Sequence, residues 1–287
     1  MSGAAKPIDR TVMGPPATTA SARGMAGGIR LRVDVIAGRT RITDLECRPP
    51  LQVLRAHHID PERPDLASVI VASPAGGILQ GDELTIDIHV GRGASLRVGT
   101  QSATRIYRMP DRAARMTVRL EVESAGHLEF LPDPFIPYQG SRLSVRTTWV
   151  VAEDASLLSW ETIAPGRAAR GEILAFEALE STVELLRPNG RLVATDAVVL
   201  ERGPEMRSPG LLGESLAVGT LFVVHEGFEA PVLREAAGAS GHPEVDFGAS
   251  SLPAAAGAWL RVLASDSHQA IAALEAAHAA ARSWLFG

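Results

Sequence analysis

The chain has 287 residues and a formal net charge of −5, with 28 Lys and Arg against 33 Asp and Glu and no long block of either sign. Phosphate neutralisation needs a basic stripe, so nucleic acid is not an expected partner, and no apolar run reaches the ~18–20 residues of a membrane span. The single cysteine, Cys47, rules out an internal disulfide framework and fits a reducing compartment, so a cytoplasmic protein is expected.

Residues 1–27 are rich in Ala, Gly, Ser, Thr and Pro and lack the apolar core of a signal peptide. They cannot bury enough surface to offset ordering, so a loose tail is expected ahead of a single β domain over 28–287. From Gly28, Ile29, Leu31, Val33 and Val35 alternate with Arg30, Arg32 and Asp34, the pattern of a half-buried strand. Residues 41–45 read as its partner after a turn at Ala37-Gly38, and 51–55 as a further strand. Two prolines and four charges mark 57–66 as a surface loop, and 69–72 leads into a glycine-rich stretch. A strand over 84–90, the turn Gly91-Arg92-Gly93 and a strand over 95–99 then end in Thr100-Gln101-Ser102, which reads as a hairpin or as one corner of a sheet.

The middle of the chain repeats this unit. A strand, a small or polar turn and a leucine-bearing strand recur at Leu96, Leu128, Leu157 and Leu192, spaced by 32, 29 and 35 residues. A period in that range means stacked units sharing one core, although any all-β protein shows strand–turn–strand at about this spacing. Four or five residues after each leucine come Thr100 and Gln101, Pro132 and Asp133, Glu161 and Thr162, then Asp196 and Ala197. If the units stack in register, these polar groups line one wall. After Arg202 the pattern changes to a strand over 220–225, a short helix over 230–237, a strand over 258–264 and a helix over 267–285 capped by Asp266 with Gln269. The expected class is mainly β, with stacked strand repeats resembling a β-helix or layered sheets. A small C-terminal α/β patch over 202–287, including the terminal helix, closes it.

Stable zinc or nickel sites need grouped Cys, His or carboxylate donors, and the only adjacent histidines are His57-His58 in a loop, so no stably bound metal or cofactor is expected. There is no G-x-S-x-G elbow, and Gly76-Gly77…Gly81 leads into a strand without the Lys-Ser/Thr of a phosphate loop. Carboxylates remain. Asp82, Asp133, Glu161, Glu172 and Glu201 sit in or beside apolar strands and small-residue turns, where a charge must be paired or wet. Either arginines such as Arg105, Arg108, Arg167 and Arg202 neutralise them, or they line a polar passage. A carrier that must release a divalent cation favours carboxylate oxygen and water over thiolate.

Three motifs together resemble the urease accessory protein UreD (UreH) family. They are GGILQGDELT (76–85) with TQSATRIYR (100–108), LEFLPDPFIPYQGSR (128–142) and LLSWETIAPGRAARGE (157–172). The resemblance implies a helix-like stack of strands with no catalytic activity, which binds the urease apoprotein and recruits accessory proteins F and G, the latter a GTPase. It also implies transient Ni2+, passed on through a water-filled tunnel. The family's acidic and hydroxyl positions fall on Asp82, Thr104, Glu161 and Glu201. Its supporting motif positions fall on Gly76, Gly77, Gly81, Gln101, Tyr107, Arg108, Asp133 and Glu172. Gln80 departs from the usual glycine, and Glu161 stands where aspartate also occurs. Two other readings are a passive interaction scaffold and a β-solenoid enzyme acting on polysaccharide, the latter disfavoured by an aromatic content of only 5%.

Overall fold

The computed structural model describes residues 24–287, so most of the expected tail lies outside the described residues. Period-two alternation shapes β1 (Ala26–Ile36), which buries Ile29, Leu31 and Val33 and exposes Arg30. Ala37 and Gly38, both at positive φ, turn it back as β2 (Arg39–Arg48) in an antiparallel hairpin. The short β3 (Gln52–Val53) and β4 (Ala67–Ala72) follow. Next come β5 (Glu83–Val90), β6 (Ser95–Thr100), β7 (Thr104–Ile106), β8 (Ala114–Val122), β9 (His127–Leu131) and β10 (Phe135–Pro137). The stack continues with β11 (Arg142–Val151), β12 (Ser156–Ile163), β13 (Ala178–Leu186) and β14 (Leu192–Glu201).

These strands wind as a solenoid. In one sheet β1, β5, β8, β11 and β13 run parallel, and in the facing sheet β4, β6, β9 and β12 do the same. The segment 84–99 is therefore a corner and not a hairpin, because β5 and β6 belong to different sheets. The turn's amides explain why: Gly91 N–H donates to Val33 O and Gly93 N–H to Ser124 O, so the turn bonds to neighbouring coils. A short third side links the second sheet back to the first, with β7 and β10 paired in parallel.

Leu96, Leu128 and Leu157 are direct neighbours across β6, β9 and β12, fully buried in one row. Leu192 is the exception. It pairs with Leu186 across an antiparallel β13–β14 hairpin in the first sheet and is 54% exposed. The Pro188-Asn189-Gly190 turn, with Gly190 at φ 82° and its N–H on Arg187 O, sends the chain straight back where the earlier turns send it across. Such reversals at both ends cap the parallel stack and limit its open edges.

The C-terminal part adds β15 (Ala217–Val224), α1 (Ala230–Gly238), β16 (Asp246–Ser251), β17 (Gly257–Ala264) and α2 (Ser267–Phe286). β15 pairs antiparallel with β12, β17 with β15, and β16 with β17, extending the second sheet. Val218, Phe222 and Val224 of β15 face the interior between the sheets, and Leu221 and Val223 face the helices. The helices lie on that outer face through small side chains, with Ala270, Ala273 and Ala277 fully buried. Asp266 caps α2 by accepting the Gln269 N–H at 3.0 Å. β16 was not legible: its sequence DFGASS has Gly and Ser in place of alternating large apolar residues. Among the described residues no helix is long and apolar enough to cross a membrane.

Candidate functional site

Inward-facing residues of successive coils do not fill the space between the sheets completely. A cavity of about 150 Å³ starts beside exposed Gly76, Gln101 and Ser102. It is lined in turn by β5, β8, β11, β13 and β14 on one side and by β6, β9, β12 and β15 on the other. A second cavity of about 170 Å³ shares Trp149, Val183, Asp196 and Phe222 with it and ends at Leu252, Pro253 and Trp259. The first cavity is well above the ~10–15 Å³ that one water needs, so it has room for several molecules.

Its walls are mostly apolar, with a line of oxygens. Thr100, Pro132 and Glu161, each four residues past a stacked leucine, all reach it, so the register read from the repeat does bring these rungs to one wall. Thr104, Thr147, Ser159, Ser181 and Thr220 add hydroxyls. Glu161 accepts a hydrogen bond from Ser181 Oγ at 2.9 Å, and among the described residues no arginine pairs with it. Burial pushes its carboxyl up to about 7; the Ser181 bond and the Arg261 charge pull the other way, and Asp196 adds to the rise. Asp196 lines both cavities and is reached from the opposite sheet by Arg261, one of whose nitrogens donates to both carboxylate oxygens at 2.7 and 2.8 Å.

The motif residues divide by place. Thr104, Glu161, Gly76, Gly77, Gln101 and Asp133 line the first cavity. Asp133 also accepts from the Thr100 hydroxyl at 2.9 Å, tying adjacent coils. Asp82 does not reach the cavity. It is buried, and its two oxygens accept the backbone N–H groups of Met25 and Leu79 at 2.8 Å each, which fixes the turn ahead of β5. Glu201 sits exposed at the end of β14. Gln80 needs no positive φ and bonds Asp111, so it fits the turn without strain, while Gly81 takes the left-handed conformation at φ 72°.

The remaining motif residues build the third side. Tyr107 meets Tyr138 edge-on at 5.1 Å, and Arg167 lies over the Tyr138 ring at 4.1 Å while paired with Glu172. One residue or more from each of the three motifs thus contributes to a pile across three coils. Arg108 packs its stem against Gly140. Gly77, at φ 154°, lies so close to the next coil that a Cβ would sit 2.4 Å from Arg105 O.

A second buried polar centre was missed by reading the sequence. Glu129, fully buried on the outer face of β9, is held by Arg97 at 2.7 Å and Arg282 at 2.8 Å, with His127 at 3.2 Å and His278 at 3.3 Å. Asp60 joins the same two arginines at 3.1 and 2.7 Å. Burial alone would raise the Glu129 carboxyl, but its contacts with the two histidines outweigh this and hold it well below the usual carboxylate range. The cluster fastens α2 to the solenoid. His278 on the helix's apolar stripe is the one signal of it in the sequence. Among the described residues no three His, Cys, Asp or Glu side chains converge as a metal site.

A family model described as "UreD urease accessory protein" matches residues 25–287. The chain is 35% identical over 267 residues to "Urease accessory protein UreD 2" of Streptomyces griseus, covering 91% of this chain and 90% of that one. It is 38% identical to "Urease accessory protein UreD 3" of Methylorubrum populi, covering 88% and 84%. It is 32% identical to "Urease accessory protein UreD" of Haloarcula marismortui, covering 91% and 88%. A solenoid matched over nearly its whole length, with relatives similar over most of theirs, belongs to the UreD urease accessory protein family, and the chain is a non-catalytic factor in urease maturation.

Proposed function

We propose that the chain is a cytoplasmic chaperone that holds apo-urease together with accessory proteins F and G, and that Ni2+ reaches the urease active site through the cavity between its sheets. One observation carries this reading: two neighbouring cavities with four lining residues in common follow the stack, Glu161 lining the first and Asp196 both. Carboxylate and hydroxyl oxygens with water suit a divalent cation held briefly, whereas thiolates would retain it. Cys47, the one thiol, is exposed and absent from the cavity lining. Ni2+ entering beside Glu161 would displace the proton that burial leaves there near neutral pH. Thr104 serves in this reading as a hydroxyl of the lining, Asp82 as the anchor of a turn and Glu201 as a surface carboxylate.

The test compares an inner with an outer carboxylate. Glu161→Gln and Glu201→Gln are each co-expressed with the urease operon, and nickel is counted per urease active site. Both variants are expected to co-purify with urease, with nickel falling only for Glu161→Gln. Equal nickel in Glu161→Gln and the unaltered chain would remove the passage and leave a partner-holding scaffold.

A further inference from the structure

Asp196 is the only carboxylate lining both cavities among the described residues, so a cation moving from one to the other passes it. It projects from β14 of the first sheet, and Arg261 reaches it from β17 of the second, making an ion pair between the sheets at the lining that the two cavities share. The pair is positioned by register. Glu161, Thr220 and Arg261 are consecutive partners across β12, β15 and β17, all on the interior-facing side of that sheet. Arg261 is held near the Trp259 ring at 5.4 Å, and Trp259 lines the second cavity. Its buried Nε has no hydrogen-bond partner among the described residues, so the guanidinium is fastened chiefly through the one nitrogen on Asp196.

We infer that Arg261 is a positioning residue for cation passage: by neutralising Asp196 it keeps the junction of the two cavities from either trapping or repelling a divalent cation. The inference rests on the passage proposed above. A bare Asp196 beside Glu161 would give Ni2+ two carboxylates of one cavity to bind, and a bare Arg261 would place an unopposed positive charge on its route. The paired state does neither. Oxygen ligands remain available along the hydroxyl line while no net charge stands at the junction.

The experiment uses the complex of this chain with urease and its accessory proteins, assembled in cells and purified. Two quantities are read: nickel per urease active site and nickel retained on this chain after gel filtration. Asp196→Asn should lower delivery by about fivefold or more, since the guanidinium charge is then unopposed. The double variant Asp196→Asn with Arg261→Met carries no charge at the junction and should recover delivery to within about twofold of the unaltered chain. A purely structural pair would make the double variant no better than the single one, which would overturn the inference. Arg261→Met alone should raise retained nickel by about fivefold or more. Should Asp196→Asn fail to assemble, this variant decides, and no rise in retained nickel overturns the inference. Glu161→Gln measured in parallel separates the two ideas. If it lowers delivery while the Asp196 and Arg261 variants do not behave as stated, the passage stands and the role of Arg261 falls. If it changes nothing, both fall.

Discussion

Replacing Glu161 by glutamine should stabilise the protein at alkaline pH and change it little at acid pH. The folded chain holds this carboxyl at about 7 against an ordinary value of 4.5, because burial in the cavity wall outweighs the hydrogen bond from Ser181, its one side-chain partner among the described residues. A raised carboxyl costs nothing below pH 4.5, where folded and unfolded chains are both protonated. The cost grows as pH rises from 4.5 to 7 and is complete above 7. At ~1.36 kcal/mol for each pH unit of that gap, it reaches about 3 kcal/mol at pH 8 and stays below ~1 kcal/mol at pH 5. Glutamine keeps an oxygen for the Ser181 hydroxyl and removes the charge. Urea unfolding of both proteins at pH 5 and pH 8 gives the comparison. The variant should gain about 3 kcal/mol at pH 8, with the gain shrinking to under ~1 at pH 5. A gain that is equal at both pH values, or an unaltered chain that is the more stable at pH 8, would show that Glu161 is not desolvated as described.

Two predictions concern the frame around the cavity. Glu129→Ala leaves the half-buried Arg97 and Arg282 with Asp60 as their remaining carboxylate, so it should destabilise by ~1–3 kcal/mol in equilibrium unfolding and make α2 the first site of limited proteolysis. Because the Glu129 carboxyl is depressed, its contribution is present above pH 4.5 and lost as pH falls further. Stability of the unaltered chain should thus drop more steeply in that acid range than that of Glu129→Gln. Gly77→Ala places a Cβ against Arg105 O and should lower stability by ~2 kcal/mol or more, visible as a lower urea midpoint, whereas Gly190→Ala, with no atom within 4 Å of its Cβ, should cost less.

Most of the solenoid could be read from residues close in sequence. Leu96, Leu128 and Leu157 repeat because each begins the same step of a coil, and the rung four residues later brings Glu161 to the same wall as Thr100 and Pro132. Leu192 broke the series because Asn189-Gly190 is a hairpin turn, a local signal that outweighs a period inferred from three spacings. The apparent fourth repeat puts Asp196 on that same wall. It does reach the cavity, but from the opposite sheet. What stayed hidden depends on long-range pairing. Asp196 and Arg261 are 65 residues apart, and Glu129 and Arg282 are 153 apart, so nothing in either neighbourhood announces the partner. Motif membership alone likewise cannot separate Glu161, which faces inward, from Asp82, whose oxygens are filled by two backbone amides.

The most direct test of the account is to close the cavity reversibly. Thr147 lies in its lining on β11, so Thr147→Cys in a Cys47→Ser background puts a single thiol inside. The purified complex is labelled with a small methanethiosulfonate, and nickel transferred to apo-urease is counted before labelling, after labelling, and after the label is reduced off and the reductant removed. Transfer should fall on labelling and return on reduction, with the complex intact throughout. A labelled complex that still delivers nickel at the unlabelled rate would show that the metal takes another route.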